Sequence, residues 1–319
     1  MKRMFFTGLL IGPDEAGQPS PQFKGAGWDV TFIKEKRDLS KLENARVVVI
    51  SAKSWHRAQY ALNLVLSSIL LYSGEPPFSE MNLVAYNDDE PEFNNPLYRK
   101  AVTKRYMGTV DIPIACAIAA KVSRKRKWVY ALTKYKFSIC LYGMFSADLE
   151  PFRSPYLSVS PFPEDHIKFS QAIVSAYSGI EDLGLEIRAS EKRPSRINGK
   201  WNTPVRRDLE DRLESASIDL NDTTLWTIRG PKRKIEKKRT IPSFEKASWA
   251  GGAVRDAEIE MVDAIAYSGW LRDCVASHSV KELTKVLSPY DVVNVQHLAR
   301  RLILETIGYW RYYEKHAAF

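Results

Sequence analysis

Histidine and cysteine are scarce in this chain: five histidines and three cysteines occur in 319 residues. Cys116, Cys140 and Cys274 are odd in number and far apart, with no CxxC pair and no Cys/His spacing suited to zinc. That excludes a disulfide framework and a structural zinc site, and fits a reducing cytosol in which the thiols act as small buried apolar groups. Glycine-rich phosphate loops are absent, which argues against P-loop nucleotide hydrolysis. Long hydrophobic runs are absent too. The longest, ALNLVLSSILLY at residues 61–72, is interrupted by Asn63, Ser67 and Ser68 and is too short to span a bilayer. The opening MKRMFFTGLLIG has a basic pair and an apolar run, but Pro13, Asp14 and Glu15 follow with no small-residue cleavage site. It reads as a first strand and not as a signal peptide.

What the chain does have is positive charge. Lys and Arg number 47 against 38 Asp and Glu, a formal net charge of +9. That balance favours polyanionic partners, nucleic acid above all. The apolar fraction of 45% and charged fraction of 27% are those of a folded chain with a sizeable core. The length exceeds one ordinary domain, so two units are expected.

The pattern divides near residue 120. Before it, RMFFTGLLIG, WDVTFIKEK and ARVVVISAK read as strands separated by Gly, Pro, Asp and Ser. WDVTFIKEK alternates and is expected to be half exposed. ARVVVISAK is a continuous apolar run and is expected to be central. A helix is predicted from about Ser54, its cap, to Tyr72. Beyond residue 120 the pattern is helical. Helices are predicted over KVSRKRKWVYALTKYKFSICLYGMF, with Val129, Leu132, Phe137 and Ile139 to Leu141 as its apolar positions, and over 164–190. Two more are predicted, from about Arg255 to Ala276 and from about Pro289 to Lys315. In the third helix Ile259, Val262, Ile265, Ala266 and Gly269 share a side. In the last the stripe is Val292, Val295, Leu298 and Leu302, after Ser288 as cap and Pro289 at the first position. Residues 190–252 break the rhythm and read as an insertion or partly ordered module containing one short charged helix. The expected class is α+β: a small N-terminal β-containing domain (1–120), then an antiparallel four-helix bundle (121–319) with that insertion.

The chemistry centres on GWLRDCVASHSVKE, where Arg272 precedes His278 by six positions. On one unbroken helix the two would lie roughly 120° apart. Ser279-Val-Lys-Glu282 is a capping-box pattern, so a break is expected near Ala276 and Ser277, which would let the imidazole fold back toward the guanidinium. The plain alternative is an Arg that satisfies helix-end carbonyls and a His in a loop. Cys274, four residues before His278, lacks an orienting third group and is a poor nucleophile candidate. His297, with Arg300 and Arg301, reads as a surface or packing residue.

An Arg-Asp-x4-His stretch ending the third helix of a basic helical domain resembles the HEPN superfamily. The resemblance covers about residues 121–189 and 253–319. It implies a metal-independent ribonuclease without a cofactor, a composite site across a homodimer, and Arg272 and His278 as catalytic residues. Asp273 is implied as the polar residue after the arginine, and Glu181, beside Asp182, as the acidic residue of an earlier helix. A cytoplasmic defence or toxin effector, with a regulatory protein partner and no membrane association, follows the family's habits. The basic run RGPKRKIEKKR supplies Arg229, Lys232, Arg233, Lys234, Lys237, Lys238 and Arg239 as candidate RNA contacts. KVSRKRK, followed by Trp128 and Tyr130, is a second such run. The rival readings are a non-catalytic dimerisation scaffold and a nucleic-acid binder that uses the basic loops alone.

Overall fold

The computed structural model describes residues 2–11, 22–34, 46–73, 84–85, 112–142, 163–229, 254–277 and 289–310. The chain separates into two compact units, 1–129 and 130–319.

The first unit holds one antiparallel sheet. Its strands are β1 (Arg3–Ile11), β2 (Phe23–Gly25), β3 (Trp28–Lys34), β4 (Arg46–Ala52) and β5 (Val84–Ala85), in the order β2-β3-β4-β1-β5. The expected central strand is central: Val47, Val48, Val49 and Ile50 of β4 are all buried, so both faces of that strand are covered. β3 alternates as expected, with Trp28, Val30 and Phe32 inward. β2 and β5, too short to show a period, were not anticipated. Helix α1 (Trp55–Ser73) follows β4 directly, and Ser54 Oγ accepts the Arg57 N–H at 3.3 Å, as a cap should. α1, rich in buried Leu, packs on the sheet and on α2 (Ile112–Val122), which is rich in buried Ile and Ala.

Helix α3 (Arg126–Leu141) begins after a break at residues 123–125, so the single helix predicted from Lys121 is two. Its apolar positions also need correction. Ala131, Leu132, Tyr135 and Ser138 face inward, whereas Phe137 is 59% exposed and Cys140 is at the surface. Val129 and Phe137 mislead because apolar and aromatic residues lie on more than one side of this 16-residue helix, and only packing selects which side turns inward.

The second unit adds α4 (Pro163–Leu183), the hairpin β6 (Arg196–Ile197) and β7 (Lys200–Trp201), α5 (Thr203–Ser215), the hairpin β8 (Thr223–Arg229) and β9 (Val254–Glu260), α6 (Met261–Ser277) and α7 (Pro289–Thr306). The described residues thus hold seven helices. α4 packs on α6 and α7. It meets α3 closely through small residues: Ser138 Oγ donates to the Ala172 carbonyl at 2.7 Å, Ser175 Oγ to the Lys134 carbonyl at 2.9 Å, and Gly179 sits against Ala131.

Three corrections concern helix ends. α4 stops at Leu183, not near 190, because Gly184 takes φ +80°. Its N–H donates to the Glu181 carbonyl at 2.9 Å, and that of Leu185 to the Ile180 carbonyl at 3.2 Å. Gly308 (φ +76°) ends α7 the same way, short of Lys315. α6 starts at Met261; residues 255–260 belong to β9, so Ile259 is a buried strand residue and not part of the helical stripe.

The expected insertion is partly a built element. Asn198 (φ 51°) and Gly199 (φ 79°) form the left-handed turn of the β6–β7 hairpin. Asp263 Oδ1, buried in the first turn of α6, accepts from Arg196 Nη2 and Trp201 Nε1, both at 2.8 Å, and pins that hairpin to the helix. Trp226 of β8 is buried edge-on against Tyr267 of α6, so this part of the insertion packs on the helical unit. Trp249 lies outside the described residues. Asn294 of α7 clamps Thr227, accepting its N–H and donating to its carbonyl, both at 2.8 Å.

Candidate functional site

α6 is buried on nearly every side. Val262, Ala264, Ile265, Tyr267, Trp270, Leu271 and Cys274 are all interior, so the helix has no polar face until its last turns. There Arg272 and Asp273 reach the surface. Arg272 is one helical turn beyond Gly269 and Ser268, and the glycine leaves room for a neighbour: a Cβ at Gly269 would stand 2.7 Å from Tyr177 Oη. Tyr177 of α4 fills that space and is itself buried.

The Arg272 guanidinium lies 5.1 Å from the centroid of the Tyr177 ring. One turn along α4, Glu181 Oε1 accepts from Arg272 Nη2 at 3.0 Å. Asp273 Oδ1 is 3.5 Å from Arg272 Nε. The side chains of Arg272 and Glu181 are each about one-third exposed, 35% and 34%, so solvent and a ligand can reach the pair. Among the described residues Nη1 has no carboxylate partner. Burial pushes the Tyr177 phenol up to about 12. The Arg272 charge opposes that shift, the Glu181 charge adds to it, and hydrogen bonds from the Ile187 backbone and Arg272 offset part of it. Tyr177 is therefore a neutral platform and not an acid at physiological pH. Beside the pair, Lys134 Nζ of α3 binds Asp182 Oδ2 at 2.8 Å, so the two adjacent carboxylates of α4 serve different cations.

The structure brings together Arg272, Asp273 and Glu181, three of the four residues selected from sequence. Tyr177 was missed. Its signal was visible: at four residues before Glu181 it must lie on the same face of α4. His278 and the Ser279–Glu282 pattern lie outside the described residues, as does Ser288. Of the basic run, Arg229 ends β8 opposite Val254, and Lys232, Arg233, Lys234, Lys237, Lys238 and Arg239 fall outside the described residues. His297 is a packing residue: its ring meets Trp310 edge-on at 6.3 Å. Burial, with Arg300 and Arg301 adding repulsion, lowers its pKa to about 4. Among the described residues no helix is long and apolar enough to cross a membrane.

No protein-family model, curated protein or solved structure matches this chain.

Proposed function

We propose that this chain is a metal-independent RNA endonuclease of the HEPN type, acting as a cytosolic homodimer in a defence or toxin system under a regulatory partner. The observation that carries the reading is the ion pair of Arg272 with Glu181. Two residues selected as catalytic candidates stand 91 positions apart and are joined at 3.0 Å on adjoining helices. The contacts of α4 with α3, α6 and α7 support reading these four helices as one bundle.

In this reading RNA is cut by its own 2′-hydroxyl. His278 takes the hydroxyl proton, the O2′–P bond forms, and the P–O5′ bond breaks as a proton passes to the leaving oxygen, from His278 of one or the other protomer. The products are a 2′,3′-cyclic phosphate and a 5′-hydroxyl. Arg272 neutralises the phosphate with its planar fork. Tyr177 beneath and Glu181 beside hold the guanidinium in one orientation before substrate arrives. Asp273 orients it from the solvent side.

A second reading rests on the same pair. Arg272 already has two carboxylate neighbours, which suits a structural tie in a dimerisation scaffold. The two are separated by incubating the purified chain with single-stranded RNA in EDTA. The nuclease reading expects cleavage to cyclic-phosphate ends, blocked by a 2′-deoxy substitution at the cut site and lost in His278→Ala. EDTA-resistant cleavage that is absent, or equal in wild type and His278→Ala, transfers the assignment to the scaffold.

A further inference from the structure

The first unit carries a basic and aromatic surface that the cleavage reading does not use. One end of its sheet gathers the start of β1, the end of β4 and the turn between β2 and β3; the registers Arg3↔Ala52, Trp28↔Ala52 and Gly25↔Trp28 set them side by side. The chain leaves β4 there as Lys53-Ser-Trp-His-Arg57, five consecutive exposed residues that open α1. A second basic segment is tied to the same place through one residue. The Ala26 N–H donates to Ser123 Oγ at 2.9 Å, and the Ala26 carbonyl accepts from Arg57 Nη2 at 2.5 Å. Ser123 opens the turn Arg124-Lys-Arg-Lys127, all four exposed. The backbone of Ala26 thus links the two segments within one unit.

Among the described residues, charge on this surface is one-sided. Asp29 is the sole carboxylate among the described residues of the first unit, and Lys2 already holds it. In its midst Trp55 is 48% exposed, an unusual cost for the largest apolar side chain. His56 packs against it in a T-shaped pair, with ring centroids 5.3 Å apart and planes at 87°, and about half of the indole still faces solvent. Exposed cations around a presented aromatic face are what a flexible polyanion with unstacked bases requires. Phosphates meet the cations, and one base stacks on the ring.

We infer that this end of the N-terminal sheet is a binding platform for single-stranded nucleic acid, in which Trp55 stacks a base and Lys53, His56, Arg124 and Lys127 contact phosphates. The platform recognises backbone and base face and not sequence. It is distinct from the Arg272 cluster, and its existence does not depend on whether that cluster cleaves RNA.

The test uses the full chain carrying His278→Ala, so that the proposed cleavage does not consume the probe, and a fluorescein-labelled 12-nucleotide single-stranded RNA of mixed sequence. Binding is followed by anisotropy and by tryptophan quenching. Trp55→Ala is expected to weaken binding about tenfold or more and to remove most of the quench, with Trp55→Phe recovering much of the affinity. The triple variant Lys53→Gln, Arg124→Gln, Lys127→Gln is expected to flatten the logarithmic salt slope by about 2, since each lost contact to a single strand contributes roughly 0.7. All the changed side chains are exposed, and unchanged melting curves will show that the fold survives. The duplex of the same sequence is expected to bind at least tenfold more weakly, because its bases are not free to stack. The inference is overturned if both variants bind like the parent, if the duplex binds as tightly as the strand, or if phosphatidylserine vesicles are bound while the RNA is not.

Discussion

The two units use positive charge in opposite ways. In the second, many arginines are paired with carboxylates: Arg196 holds Asp263, Arg206 holds Glu210 and Glu260, Arg212 holds Asp208, Arg272 holds Glu181, and Arg301 holds Asp222 and Glu305. In the first, lysines and arginines stand at the surface around a single described carboxylate. A net charge therefore says little by itself. The same guanidinium is an architectural tie where a carboxylate is folded against it, and is left for the proposed ligand contact where none is. Arg272 lies between these cases. It is paired, yet the pair is open to solvent, as the proposed phosphate contact requires.

The largest effect that would sharpen this contrast is catalytic. Arg272→Ala and His278→Ala are each expected to lower the RNA cleavage rate by about a hundred- to ten-thousand-fold in single-turnover assays. Glu181→Gln should keep the fold and retain more activity than Arg272→Ala, because it removes an orienting partner and not the phosphate contact. Equal losses in both would mean that the ion pair matters only for architecture.

Next comes Arg301, whose side chain is buried with that of Glu305 and which also donates to the Thr223 carbonyl. Arg301→Met removes the buried cation that faces the Glu305 carboxylate, and is expected to cost about 3–5 kcal/mol in urea unfolding. No lysine or arginine replacement among the exposed residues 124–127 should approach this; their effects should stay within about 0.5 kcal/mol.

His297 gives a pH signature of the second unit alone. Its folded pKa of about 4 lies below the ordinary histidine value of 6.5, so the unfolded chain binds the extra proton first. Stability is then full above about pH 6.5 and is lost as pH falls toward 4, by on the order of 3 kcal/mol for this one group. Melting temperature measured from pH 7 to pH 4 should fall less steeply in His297→Gln than in wild type. Parallel curves would mean that the ring is not desolvated in solution.

The smallest effect is at the glycine beneath the site. Gly269→Ala brings a methyl to 2.7 Å from Tyr177 Oη and 3.1 Å from Cζ, so the ring must shift. A cost of about 1–3 kcal/mol is expected. The double change Gly269→Ala, Tyr177→Phe should recover part of it, because the clashing oxygen is gone. No recovery would place the strain in the helix pair and not in the ring.

Periodicity alone settled the elements with strong local signals. The three long N-terminal strands, the central place of β4, the Ser54 cap and the Val292, Val295, Leu298 and Leu302 stripe all follow from side-chain alternation and capping chemistry, which act over a few residues. Two more features were as local but went unread: Gly184 and Gly308, whose left-handed conformations end α4 and α7, and Asn198-Gly199, which turns the small hairpin. Glu181 and Asp273 were legible as candidates because a family likeness singles out residue types. What pairs with what was not. Whether residues 255–260 extend α6 or form β9 depends on β8, which is distant in sequence and supplies the hydrogen bonds of the ladder. Which stripe of α3 turns inward depends on Ala172, Ser175 and Gly179. The placement of Tyr177 under Arg272, and the joining of the Lys53–Arg57 and Arg124–Lys127 segments through the Ala26 backbone, are contacts between residues tens of positions apart. Such contacts leave no period in the sequence, because their energy comes from surfaces that meet only once the chain has folded.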